Sequence, residues 1–261
     1  MYKYEMHLHT TDVSPCAGAT AEQIVQAYSE MGYSGVNVTN HWSREVLDYK
    51  NIEGLNLNER ANFYMDGYRR MEEAAEGKLT VFCGVEVQID EPAYCEFLVY
   101  NISRDFILDL GMSFYKLTKE ELTRIAHDHG CLIYQSHPFR DGLTILPTEI
   151  FRRVGEPLSR DKVDGIEAIN YSHGDRYTDD IALNWAKEHN LRTITGSDYH
   201  GDWNNPWGGI YTDKPIESQS ELIDVLNNDR YALALPDGPI AGIGVMHPEH
   251  RFTTHKRKRN V

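Results

Sequence analysis

The sequence predicts an α/β fold built on a mostly parallel sheet or barrel. Three observations predict it. Strand-like runs alternate with helical ones along the chain, the pattern of parallel strands joined by crossover helices. The 261 residues carry no internal repeat and no Pro/Gly/Ser-rich linker, and that length suits a single α/β barrel. The composition, 41% hydrophobic and 25% charged, is that of a chain able to bury a core. Residues 1–248 are therefore read as one domain. Residues 249–261 form a basic tail, with HKRKR at 255–259, read as a solvated, mobile terminus.

Each element has its own local cause. YKYEMHL is the first strand. Thr20 caps the next helix and Gln23 completes a capping box, with Ile24, Ala27, Tyr28 and Met31 on one face and Gly32 as the stop. GVNVT is a short strand. A polar loop over 42–58 leads to a helix over about 59–76, closed by Gly77. LTVFCGVEV and EFLVYNI are strands, and the short DEPAY segment between them permits an antiparallel pair. Thr118 and Glu121 open a helix that ends at Gly130, and CLIYQ follows as a strand. A loop and a short helix precede the strand GIEAIN. Then come a helix through IALNWAKEH, the strand RTITG, a helix opened by Ser218 and Glu221, and the run RYALAL.

The net charge of −14 excludes a basic nucleic-acid footprint across the body. Cys16, Cys83, Cys95 and Cys131 form no CxxC pair, and no leader-like segment precedes the first strand. Reduced thiols in a cytoplasm are the expectation. No apolar stretch approaches the roughly 18 residues of a membrane span.

The chemistry collects where strands end. In EMHLHTT, side chains alternate faces along the strand, so His7 and His9 point the same way. GVNVT is followed by Asn40-His41, and VFCGV ends in Glu86. CLIYQ is followed by Ser136-His137, and RTITG by Ser197-Asp198-Tyr199-His200. In a parallel barrel all strand C-termini open onto one face, which carries the active site. His7, His9, His41, Glu86, His137, Asp198 and His200 are thus expected to meet there. Imidazole and carboxylate without thiolate suit Zn²⁺, Mn²⁺ or Fe. The set exceeds the ligands of one zinc, so two or three divalent ions are expected, with Glu86 able to bridge two. Such clusters hydrolyse phosphoesters: one ion lowers the pKa of bound water toward ~7 while the others hold the phosphoryl oxygens.

HLH, TNH, GVE, SHPF and GSDYH together resemble the motif series of the PHP family, named for polymerase and histidinol phosphatase, from residue 3 to about 211. The resemblance implies a distorted seven-stranded (β/α)7 TIM-like barrel, a di- or trinuclear centre and phosphoesterase activity. It assigns His7, His9, Glu86 and Asp198 to a first metal, Glu86 and His137 to a second, and His41 and His200 to a third. The family's further ligand after HxH falls within TTDVSPC, where Asp12 is the carboxylate available and Cys16 the weaker candidate. The family's histidine in the strand after GxE is replaced by Glu96, which can also ligate. Asn40 stands where the family has an aspartate, which removes a charged partner for a neighbouring ligand.

Other residues stay open. Arg140, after SHPF, suits a bidentate grip on a substrate phosphate, with a surface salt bridge as the alternative. His173 suits proton donation to a leaving group, with a loop histidine of no role as the alternative. Trp203 and Trp207 are candidates for a pocket wall. Tyr199 is expected to pack inward, and His127, His129 and His189 to lie at helix ends. The expected activity is hydrolysis of a small phosphomonoester or nucleotide by a metal-bound hydroxide. The expected partner is a small phosphorylated substrate, with no membrane and no nucleic acid beyond a small nucleotide. An amidohydrolase-type C–N hydrolase and a non-catalytic metal-stabilised partner module are the alternatives.

Overall fold

The computed structural model describes residues 1–90, 95–139, 162–172, 176–202, 206–235 and 238–241. The chain begins with β1 (Tyr2–Leu8), α1 (Ala21–Glu30), β2 (Gly35–Val38), β3 (His41–Trp42), α2 (Arg44–Tyr49) and α3 (Leu57–Ala75). It continues through β4 (Thr80–Ile89), β5 (Cys95–Tyr100), α4 (Arg104–Leu110), α5 (Lys119–Asp128), β6 (Leu132–Gln135) and β7 (Gly165–Asn170). Then come α6 (Arg176–Glu188), β8 (Arg192–Gly196), β9 (Ile210–Thr212), α7 (Gln219–Asn227), β10 (Ala232–Leu235) and β11 (Gly238–Ala241).

The capping logic holds at the helix starts. Thr20 with Gln23, and Thr118 with Glu121, form reciprocal capping boxes, and Ser218 accepts from the Glu221 amide. Asn56 with Glu59 adds a third box, so α3 starts earlier than its periodicity indicates. The buried face of α1 is Ala21, Ile24, Val25 and Tyr28, whereas Met31 lies beyond the helix and is exposed. The polar stretch 42–58 holds the short β3 and α2, the latter started by the Ser43 cap. Charged positions dominate there and hide the short apolar face of Val46 and Leu47.

The strands join in one barrel-shaped sheet in the order β11-β10-β9-β1-β2-β4-β5-β6-β7-β8, with β3 paired to β4. β1–β2, β2–β4, β6–β7 and β7–β8 are parallel. β5 runs against both neighbours, β4 and β6. Strict strand–helix alternation therefore breaks there, because too few residues separate β4 and β5 for a crossover helix. The largest apolar cluster fills the interior and the helix contacts; a second cluster, around Leu8, Ile24, Tyr28, Val36, Met71 and Tyr199, lies under α1 and α3. Among the described residues no helix is long and apolar enough to cross a membrane.

Closure is local. The chain beyond β8 returns to β1 through a parallel bridge between Leu8 and Tyr199. The His9 amide donates to the Tyr199 carbonyl at 2.9 Å, and the Tyr199 amide to the His7 carbonyl at 3.2 Å. Glu5 pins this seam from inside. Its Oε1 accepts the amides of Met6, His7 and Ser197, each at 2.9 Å. Its Oε2 accepts the hydroxyls of Tyr28, at 3.0 Å, and Ser197.

Replacing Glu5 by alanine strands three buried amides, each costing about 1–3 kcal/mol. Denaturant unfolding of Glu5→Ala should show a loss of about 3 kcal/mol or more, and Glu5→Gln, which keeps an acceptor oxygen, a smaller one. Equal losses in the two variants would contradict this role.

Candidate metal centre

His7 and His9, on one face of β1 as the strand period requires, lie with their Nε2 atoms 3.0 Å apart. Both are fully buried. Asp198 Oδ1 faces them at 3.4 and 3.1 Å. Asp198 has a φ of +47° and His137 a φ of +25°, left-handed turns that aim both side chains back into the barrel mouth.

Glu86 sits at the middle of the constellation and of β4, with three residues of strand beyond it, so it is not a strand end. β3 and β5 flank it, His41 directly opposite on one side and Leu98 on the other. Four imidazole nitrogens surround its carboxylate: His41 Nδ1 at 2.9 Å, His137 Nε2 at 3.3 Å, His7 Nε2 at 3.4 Å and His9 Nε2 at 3.6 Å. Neither oxygen receives a well-aligned hydrogen bond, although the residue is wholly buried. Glu96, from β5, lies 3.6 Å from His137 Nε2 and shares with His41 and Glu86 a set of ligand atoms within 4.8 Å of one another. His7, His9 and Asp198 make a second such set, and His9, His41 and His200 a third.

The electrostatics alternate in sign. Burial alone would lower the His7 pKa, but Glu167, Glu86 and Asp198 raise it well above the ordinary imidazole range. Burial likewise opposes the charge on His41, and Glu86 overcomes it. His9 is held well below that range by burial and by His41 and His200. Burial would raise the Glu86 carboxyl, but His7 and His41 bring it well below the usual carboxylate range. Protons on His7 and His41 thus occupy positions where a cation is electrostatically favoured. Buried imidazoles and carboxylates without apolar partners are the donor chemistry of a divalent-metal centre.

Several supporting residues carry no motif signal. Glu167, buried in β7, faces His7 Nδ1 at 2.9 Å and accepts the His137 amide at 3.1 Å and the Asn170 side-chain amide at 3.0 Å. It fixes the His7 ring so that Nε2 points into the centre, as carboxylates do for ligating histidines. A charged residue inside the apolar run GIEAIN was the available clue. Asn170 also reaches Asp198 Oδ2 at 3.3 Å. Gly196 is required for space: a Cβ there would lie 2.4 Å from Glu167 Oε1 and 2.5 Å from His7 Cβ. Asn40 orders the loop after β1, its Oδ1 accepting the Thr10 amide at 2.7 Å and the Ser14 hydroxyl at 2.9 Å. Ser14 Oγ in turn lies 3.4 Å from His9 Nδ1 and accepts the His41 amide at 3.0 Å. The amide thus orients its neighbours without charge.

The other candidates fall elsewhere. Asp12 faces away, its carboxylate accepting from Arg70 of α3 at 2.6 Å, and it joins none of the three sets. Cys16, four residues further along the same loop, is exposed and also joins none of the three sets. Burial would raise the Cys16 thiol, but His200 and His41 bring it down to about 7. Tyr199 is buried against Tyr28. His127 pairs with Asp164 and His129 with Asp109, away from the centre. His189 stacks on Trp185. Trp207 is partly exposed and meets Tyr171 edge-on. Arg140, His173, Trp203 and the basic tail lie outside the described residues.

No family model matches the chain, and no curated protein matches it significantly. Solved structures do. A two-domain protein from Bacteroides vulgatus ATCC 8482, described as containing a PHP-like metal-dependent phosphoesterase, superposes with a TM-score of 0.57 at 16% identity, over 90% of this chain and 64% of that one. This chain therefore spans less than two thirds of that protein. PsfC from Pseudomonas syringae PB-5123 matches with a TM-score of 0.57 at 16% identity, over 85% of this chain and 87% of that one. A protein from Bifidobacterium adolescentis ATCC 15703, described as a metal-dependent phosphoesterase, matches with a TM-score of 0.50 at 14% identity, over 86% and 95%. The chain shares the fold of structures described as PHP-like metal-dependent phosphoesterases.

Two outcomes test the centre. Glu167→Gln should weaken divalent-metal affinity by about 10–100-fold with little change in the far-ultraviolet circular dichroism. Metal binding should release protons, because His7 and His41 hold them above the ordinary imidazole range, and the apparent affinity should fall as pH is lowered. Calorimetry in buffers of different ionisation enthalpy reads the release directly; none at neutral pH would remove His7 and His41 from the ligand set.

Proposed function

We propose that this chain is a metal-dependent phosphoesterase acting on a small phosphomonoester or short nucleotide. The observation that carries the reading is Glu86: a buried carboxylate, ringed by four imidazoles, whose oxygens satisfy no ordinary hydrogen bond. The residues fit two or three divalent ions of the Zn²⁺, Mn²⁺ or Fe type. In this reading His7, His9, Glu86 and Asp198 hold one ion, Glu86, Glu96 and His137 a second, and His41 and His200 contribute to a third. Such ions, when bound, acidify water and neutralise charge developing on a phosphoryl group.

The chain's own residues supply orientation. Glu167 holds His7 and the His137 backbone, and Asn170 holds Asp198, so the donors are set before substrate arrives. Arg140 is assigned a bidentate grip on the phosphoryl oxygens, and His173 proton donation to the leaving group. Both are placed by sequence, Arg140 three residues beyond His137 and His173 three beyond Asn170. We take residues 1–248 as one domain, in which β1, β2 and β4–β8 form a distorted seven-stranded barrel. The fold shared with structures described as phosphoesterases supports the reading. So does the acidic body, which suits a small substrate held by metal rather than a nucleic-acid track.

The test is hydrolysis of p-nitrophenyl phosphate by chelator-stripped protein, before and after adding back Mn²⁺ or Zn²⁺. Activity should return with metal and fall by at least about 100-fold in His7→Ala. Metal-loaded protein that leaves phosphoesters intact but cleaves amides would overturn the phosphoesterase assignment.

A further inference from the structure

β4 does not stop at Glu86. It continues to Ile89, on the mouth side of the imidazoles. Side chains alternate along a strand, so Gln88 shares the face of Glu86, while Val87 and Ile89 turn into the apolar core. The pairing with β5 agrees: Gln88 lies directly opposite Glu96, and opposed residues project to the same side. At a rise of roughly 3.4 Å per residue, Gln88 and Asp90 stand about 7 and 13 Å along the chain from Glu86. The leaving group of a phosphoester held at the centre would extend past them.

These residues are tied into one polar set. Gln88 Nε2 donates to Asp90 Oδ1 at 3.0 Å, and Arg44 Nη2 donates to Asp90 Oδ2 at 2.7 Å. A carboxylate only accepts, so the Gln88 amide turns its nitrogen to Asp90. Its Oε1 is then an acceptor with no partner among the described residues. Arg44, three residues beyond His41, is 57% exposed. Asp90 is its one ion-pair or hydrogen-bond partner among the described residues, so most of its N–H groups remain available. Its guanidinium lies 5.0 Å from the centroid of the Tyr115 ring. The Tyr115 carbonyl accepts the Asp90 amide at 2.9 Å, and Phe114 packs edge-on against the ring. An exposed ion pair of this kind adds little stability, so stability does not account for the arrangement.

Hydroxyl groups both donate and accept. Neighbouring hydroxyls match planar side chains that offer donors and acceptors side by side, as amide, carboxylate and guanidinium groups do. Asp90 cancels the charge of Arg44, so the set has no excess charge with which to select a second anion, and nearby Glu96 opposes one. On the phosphoesterase reading of the centre, we propose that Gln88, Asp90 and Arg44 form the subsite for the leaving group and that this group is polyhydroxylated. The substrate is then a sugar or polyol phosphate.

Three phosphomonoesters of alkyl alcohols separate the possibilities on metal-loaded protein. Ribose 5-phosphate carries hydroxyls, pentyl phosphate has as many carbons and none, and 3-phosphoglycerate carries a carboxylate. Wild type should prefer ribose 5-phosphate to both others in kcat/KM by at least about 10-fold. In Gln88→Met and in Arg44→Ala the ratio of kcat/KM for ribose 5-phosphate over pentyl phosphate should fall by about 10-fold. Arg44→Ala changes an exposed side chain, so it tests the subsite even if Gln88→Met disturbs folding. Calorimetry with the phosphonate analogue of ribose 5-phosphate, in which carbon replaces the ester oxygen, reads binding apart from turnover; wild type should bind it more tightly than either variant. A wild-type preference for 3-phosphoglycerate would overturn the polyol subsite and leave the phosphoesterase reading standing. So would a ratio that Arg44→Ala leaves unchanged. If no phosphoester is hydrolysed and the phosphonate does not bind, the subsite and the phosphoesterase reading fall together.

Discussion

The barrel depends on one buried carboxylate at its seam. Glu5 gathers two amides of its own strand and one amide of the segment beyond β8, so the first and last parallel strands are held in register. Without that register, HLH and SDYH, nearly 200 residues apart, would not share a mouth. The same seam fixes Tyr199 between the His7 and His9 backbones, so the segments that carry His7, His9 and Asp198 and the closure are one piece of structure. An acidic residue in a wholly buried strand is costly unless its lone pairs are filled. Here donated hydrogen bonds fill them, and the desolvation cost is offset by closure of the sheet.

A second constraint acts inside the mouth. Glu86, Glu96, Glu167 and Asp198 are all buried, and isolated buried carboxylates are strongly destabilising. The chain surrounds them with imidazoles, which carry positive charge only when protonated. A buried set of acids and bases so balanced is poorly suited to packing and well suited to holding cations. The rings are therefore oriented by partners on their outer edges, Glu167 behind His7 and Ser14 behind His9, with inner nitrogens turned toward Glu86.

Fold and site carry different amounts of the functional reading. The solved structures that match share the architecture at 14–16% identity, where side chains at the mouth are free to differ. Glu96, buried on β5 near His41, Glu86 and His137, adds a further carboxylate to the mouth. A change of one such residue alters the charge of the mouth and leaves the barrel intact.

The sequence by itself determined much that is local. Strand alternation put His7 and His9 on one face, two capping boxes and the Ser218 cap started helices, and the positions after β1, β2, β6 and β8 held the metal-type residues. These are readable because period and cap chemistry act within a few residues. Only the tertiary structure decided the rest. That Glu86 lies within a strand and not at its end, and that β1 meets the segment beyond β8, are outcomes of long-range pairing. Glu167 became a partner of His7 because β7 passes behind it, a relation across 160 residues that no local pattern encodes. Asp12 meets Arg70 of α3, and the loop that carries it is anchored to Asn40, His41 and His200 by hydrogen bonds that no local pattern encodes. Backbone hydrogen bonds from distant strands set the direction of each side chain, and that information lies in the folded chain rather than in the order of its residues.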